Sequence, residues 1–202
     1  MYTYNSLIIN VGYIILFRYK YIISVTDPFE LLSAMGNHFI VSENGDSIYN
    51  PESLMVFHAH YEDLIDENLY RLNDIAKICD VLITTTSLEK QRYISEKIKD
   101  YKYLSERKTI VLLSQGNGRD MAGLLVEARP YLSKYKYIGF PHDKKSVHHQ
   151  LESGQAFKDI ITENIICSAE YIKNVIALFE NDKHLGLLVP PPPEHGRYFA
   201  VI

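Results

Sequence analysis

Residues 81–89 read VLITTTSLE, an apolar run that passes straight into a helix-start signature. Val81 to Thr85 carry strand-forming, largely β-branched side chains. Thr86 with Glu89 three positions later has the form of a capping box. A strand that feeds a helix without a break is one half of a βαβ unit. The same pattern extends in both directions. Upstream, residues 54–58 (LMVFH) predict a strand. Residues 62–78 predict a helix along which Ile65, Leu69, Leu72, Ala76 and Cys79 recur at helical spacing. Downstream, the helix after Thr86 is expected to turn Leu88, Ile94, Ile98 and Tyr101 inward.

Residues 109–113 (TIVLL) predict a third strand, ended by the glycine-rich residues 115–118. A helix then starts near Arg119, with Met121, Leu125, Ala128 and Leu132 on one face. Residues 135–140 (YKYIGF) predict a fourth strand that runs into Pro141-His142-Asp143. Two helical patterns follow at 157–166 and 170–179, the second burying Ile172, Val175, Ile176 and Phe179. Residues 185–189 (LGLLV) predict a fifth strand, stopped by the prolines at 190–193 in a polyproline II turn. The fold class is therefore α/β, a mostly parallel sheet with helices on both faces.

Residues 54–202 form the repeating domain, and residues 1–53 are an N-terminal extension of strands plus linker. Asn44-Gly45-Asp46 and Asn50-Pro51 mark the turns. Residues 7–17 are apolar, but Arg18 and Lys20 fall where the middle of a spanning helix of roughly 20 residues would lie. With no basic leader or small-residue cleavage pattern, buried strands are expected there, a peripheral membrane contact being the alternative. Cys79 and Cys167 have no metal-ligand spacing and read as reduced core thiols of a cytoplasmic protein. A net charge of −4, with no dominant basic stripe, argues against a nucleic-acid partner.

In parallel sheets ligands sit beyond the carboxyl ends of the strands, near the switch in strand order. The segments to weigh are thus 58–61, 84–87, 115–120, 141–145 and 190–195. At a strand-to-helix junction, Gly116 and Gly118 let backbone approach a ligand. Arg119 can pair with a phosphate, and Asp120 can hold a sugar hydroxyl or cap the loop. His142-Asp143-Lys144-Lys145-Ser146 places an imidazole, a carboxylate and two ammoniums at a strand end. Either His142 and Asp143 contribute to a divalent-ion site, or Lys144 and Lys145 neutralise a diphosphate themselves. A solvated charged loop is the structural alternative. His58 and His60 follow the first strand of the repeat, more as core or loop histidines than as ligands. Residues 84–86 are expected to supply hydroxyls to the next helix start. No P-loop, Ser-His-Asp order or paired-cysteine motif is present.

The segments Val56-Phe57-His58-Ala59-His60-Tyr61 with Asp63-Leu64, residues 81–86, Gly118-Arg119-Asp120, His142 to Ser146 and residues 185–193, in this order, resemble the rhamnan synthesis F family. That family serves bacterial cell-wall and O-antigen polysaccharide assembly. The resemblance implies a glycosyltransferase with a GT-A-like nucleotide-binding half. Its donor would be a nucleotide sugar such as dTDP-rhamnose, and its acceptor a lipid-linked polysaccharide at the inner face of the cell membrane. Carried over, His58, Tyr61, Gly118, Arg119, Asp120, His142, Asp143, Lys144 and Lys145 would contact the donor, with Asp143 on a divalent cation, Mg or Mn. Where GT-A enzymes carry Asp-x-Asp, this chain has His142-Asp143-Lys144, a single acid, which puts metal dependence in doubt. The chain ends nine residues past Pro193, and no catalytic base is assigned. Two expectations stand: a transferase completed by an acceptor half, or a non-catalytic module that binds sugar nucleotides or self-associates into a homo-oligomer.

Overall fold

The computed structural model describes residues 15–18, 49–115, 118–143 and 165–189. They form one six-stranded sheet in the order β4-β3-β2-β5-β1-β6. The strands are β1 (Ile15–Arg18), β2 (Ser53–Ala59), β3 (Asp80–Thr85), β4 (Thr109–Leu113), β5 (Tyr137–Phe140) and β6 (Leu187–Leu188). The four strands β4, β3, β2 and β5 are parallel. β1 runs antiparallel to both of its neighbours, pairing Ile15 with Phe140 and Leu16 with Leu188. The α/β class is as expected, and a segment preceding the repeat enters the sheet between β5 and β6. β6 is shorter than residues 185–189, because β1 offers it partners only at Leu16 and Phe17.

Helices cover both faces. On one face lie α1 (Ile65–Ile75), α2 (Leu88–Lys97), α3 (Lys102–Glu106) and α6 (Ala169–Asn181). Their Leu69, Leu72, Ile94, Leu104, Val175 and Phe179 pack on Met55, Phe57, Val81 and Ile83 of the sheet. The other face carries a helical stretch over residues 119–132, comprising α4 (Arg119–Ala122), a π-turn (Gly123–Glu127) and α5 (Arg129–Leu132). It packs Leu124, Ala128 and Leu132 on Leu54, Val56, Leu82, Ile138 and Phe140. Strand side chains alternate between faces, so β2 sends Met55 and Phe57 to one core and Leu54 and Val56 to the other. Each fully buried large apolar side chain contributes about 1.5–3 kcal/mol.

The two face-one helices that flank β2 are tied end to side. Ser168 caps α6 by accepting from Tyr171 N–H at 3.1 Å, and Asp74 of α1 accepts from Ala169 N–H at 2.7 Å. Three local expectations are corrected. The α2 cap is Ser87, whose hydroxyl accepts from Glu89 and Lys90 N–H, whereas Thr86 accepts only from Lys90 Nζ at 3.4 Å. Leu88, at the first helical position, is 57% exposed. The π-turn rotates the helix by one residue, so Leu124 is buried and Leu125 stands out at 38%. Ile165 and Ile166 are buried in a turn, the remainder of 157–166 lies outside the described residues, and so do the prolines at 190–193. Among the described residues no helix is long and apolar enough to cross a membrane.

Candidate functional site

From β2 the chain steps to β3 and β4 on one side, then returns to place β5 on the other side of β2. The switch point is therefore the gap where β2 and β5 end. There the two strands are stitched by backbone: His58 N–H donates to Pro141 O at 3.1 Å, and Asp143 N–H donates to His58 O at 3.2 Å. His58, His60, Tyr61, His142 and Asp143 meet across this seam, and Asp120 reaches it from the head of α4.

His58 continues the Leu54–Val56 face and is 2% exposed. Its Nδ1 is hydrogen-bonded to Thr84 Oγ1 at 2.9 Å. Burial holds the imidazole neutral, lowering its pKa to about 4; Asp120 pulls the other way, and His142, His60 and Lys90 add to the lowering. Gly123 closes the space above. A Cβ there would lie 2.4 Å from Thr84 Oγ1 and 3.0 Å from His58 Nδ1. Only glycine lets the π-turn sit this low on the sheet.

Asp143, 8% exposed, turns its carboxylate back onto the loop after β2. His60 N–H donates to both of its oxygens at 2.9 Å, and Tyr61 N–H to Oδ2 at 2.8 Å. Burial raises its pKa, while the Tyr61 and His60 N–H bonds oppose that rise. The other side of the same loop is held by Lys90, whose ammonium donates to His60 O at 2.5 Å. The rings of His60 and Tyr61 stand edge to face, centroids 4.9 Å apart.

His142 donates through Nδ1 to Asp143 O at 3.0 Å, which leaves Nε2 turned toward Asp120 Oδ2 at 3.7 Å. With side chains 14% and 24% exposed, this polar pair reaches solvent at the switch point. Gly118 and Arg119 form the turn into α4 with φ of 104° and 54°. Arg119 is the one non-glycine residue with positive φ among those described, a conformation that costs about 1–2 kcal/mol and often marks functional turns. The N-cap position of α4 is Gly118, which has no side chain to cap with.

Of the residues expected at the site, His58, Tyr61, Asp120, His142 and Asp143 converge, and Gly118 and Arg119 form the adjoining turn. Lys144 and Lys145 lie outside the described residues, as does Gly116. Residues 84–86 do not act together on the next helix: Thr84 binds His58, and Thr85 Oγ1 donates to Ala59 O at 2.8 Å. Gly123 and Lys90 fall outside the segments that the strand-end rule points to, whereas Thr84 falls inside one of them but serves His58 rather than a helix start. A lone glycine inside a helical pattern was the available signal for Gly123. For a divalent ion the described donors do not make a set. Asp143 is engaged by two backbone amides, and no group of three or more His, Cys, Asp or Glu is placed to share a cation among the described residues.

A mostly parallel sheet with helices on both faces and polar side chains gathered at its switch point is an α/β arrangement of the doubly wound type. The chain matches the model of the family described as rhamnan synthesis protein F over residues 12–202, and it belongs to that family. Membership ties it to rhamnan synthesis and so to polysaccharide biosynthesis. No curated protein and no solved structure matches it.

Proposed function

We propose that this chain binds a nucleotide-activated sugar at the β2–β5 switch point and serves sugar transfer in rhamnan synthesis, with residues 54–202 as a GT-A-like donor domain. The observation that carries this is the convergence of the Asp120–His142 pair with the His58–Tyr61 segment at the one place where the strand order reverses. A nucleoside diphosphate sugar asks for cationic groups at its diphosphate and hydrogen-bonding groups at its hydroxyls. Arg119, with Lys144 and Lys145 following Asp143 in sequence, supplies the first. Asp120 and His142 supply the second, a carboxylate and the free imidazole Nε2, both accepting from sugar hydroxyls. The acceptor is a lipid-linked polysaccharide at the cytoplasmic face of the membrane.

Isothermal titration with dTDP and UDP tests donor binding. Incubation with dTDP-rhamnose and a lipid-linked acceptor, followed by assay of released dTDP, tests transfer. Absence of binding to both nucleotides would sink the donor assignment. Binding without nucleotide release would leave a sugar-nucleotide-binding module in place of a transferase.

A further inference from the structure

Asp143 stands where the family resemblance leads one to expect a metal-binding carboxylate, but its geometry serves a different purpose. It is nearly buried, and it turns both oxygens onto His60 and Tyr61 N–H. Those two amides belong to a loop more than 80 residues away in sequence, which the carboxylate pins to the end of β5. Asp143 N–H also donates to His58 O at 3.2 Å, so backbone and side chain hold the same segment. From the opposite side Lys90 Nζ donates to His60 O at 2.5 Å and to Thr86 Oγ1 at 3.4 Å. The loop after β2 is thus gripped at its amides by an anion and at its carbonyl by a cation. Drawing the Asp143 oxygens onto a divalent ion would compete with these two part-buried amide bonds, and among the described residues there are no companion ligands.

We infer that Asp143 is a positioning residue: it orders the His60–Tyr61 loop at the switch point, and the site there takes its ligand without a divalent ion on this carboxylate. The ligand half of this rests on the proposed donor site; the loop half does not.

The test uses amide NMR on the full chain. Titrating wild-type protein with Mn²⁺ is expected to leave the His60 and Tyr61 amide signals no more broadened than those of α6. Selective broadening at these two residues would place the ion on Asp143 and overturn the inference. In Asp143→Asn, hydrogen exchange at His60 and Tyr61 is expected to accelerate about tenfold or more, as loss of charge-assisted bonds dictates, while α6 amides keep their rates. Unchanged exchange at 60 and 61 would refute the latch. UDP and dTDP affinity is expected to be equal in EDTA and in Mn²⁺, and to fall about tenfold in Asp143→Asn. A loosened loop with undiminished affinity would reduce Asp143 to a purely structural role. If Asp143→Asn does not fold, the wild-type Mn²⁺ titration still decides. If wild-type protein binds neither nucleotide, the donor assignment fails, while the broadening and exchange results still decide the latch.

Discussion

Replacing Gly123 by alanine should destabilise the protein, although the same change in an ordinary helix stabilises it. Inside a helix alanine is favoured over glycine by about 0.5–1 kcal/mol. At Gly123 the new Cβ would meet Thr84 Oγ1 at 2.4 Å, His58 Nδ1 at 3.0 Å and Thr84 Cβ at 3.3 Å. None of these is the far end of a flexible chain, since Thr84 and His58 are both buried and bonded to each other. Overpacking of this kind costs about 1–3 kcal/mol. Breaking the His58–Thr84 bond inside the core adds about 1–3 kcal/mol. Against the propensity gain, the net expectation is a loss of about 3 kcal/mol, or a fall of about 6–12 °C in Tm for a chain of this size. Urea unfolding measures it directly, with Thr84→Ala as the partner in a double-mutant cycle. Removing Oγ1 should relieve part of the Gly123→Ala cost, so the two changes should be less than additive. A Gly123→Ala protein as stable as wild type, or more stable, would mean that the π-turn does not rest on the His58–Thr84 pair.

Three further expectations follow, two from the switch point and one from the opposite end of the sheet. His58 has a folded-state pKa near 4 against an ordinary 6.5, so the unfolded chain binds the proton first as pH falls. The stability His58 contributes by staying neutral is therefore complete above pH 6.5 and drains away toward pH 4. Linkage gives about 2 kcal/mol lost between pH 7 and pH 5, a slope that urea unfolding should find reduced in His58→Asn. Arg119→Gly should raise stability by about 1 kcal/mol, because glycine adopts a φ of 54° without penalty. The same variant should weaken UDP and dTDP binding by about 1.5–3 kcal/mol if the guanidinium meets the diphosphate; stronger binding would remove Arg119 from the site. Tyr135→Phe removes a hydroxyl that donates to buried Asp80 at 2.6 Å and accepts from Lys108 at 2.7 Å. It should cost about 1.5–3 kcal/mol in chemical denaturation; a neutral result would show that the Tyr49 hydroxyl, which also donates to Asp80, and the Lys108 ammonium 3.7 Å from it satisfy the carboxylate alone.

The strands of the repeat were legible because each is a short apolar run closed by polar or glycine residues; β4 begins and ends where TIVLL does. What escaped local pattern was whatever depends on distant partners or on single-residue phase. β1 enters between β5 and β6 by pairing across more than 100 residues, which no window of sequence reveals. Thr86 and Ser87 both carry hydroxyls, and helix geometry alone decides that Ser87 faces the free amides. Leu125 fits a regular helical stripe, but the π-turn inserts one residue and hands the buried position to Leu124. At the site, the convergence of residues 58–61 with 142–143 was legible from the strand-end rule for parallel sheets. The use of Asp143 was not. An acid after a strand suggests a ligand for a cation, and only the folded chain brings the amides of His60 and Tyr61 to it.

The central claim, that the β2–β5 switch point holds a sugar nucleotide, is tested most directly by isothermal titration of dTDP and UDP into wild-type protein and His142→Ala. Saturable one-to-one binding to wild type, weakened about tenfold or more in His142→Ala, is the predicted result. Absence of binding to both nucleotides, or binding that His142→Ala leaves unchanged, would contradict it.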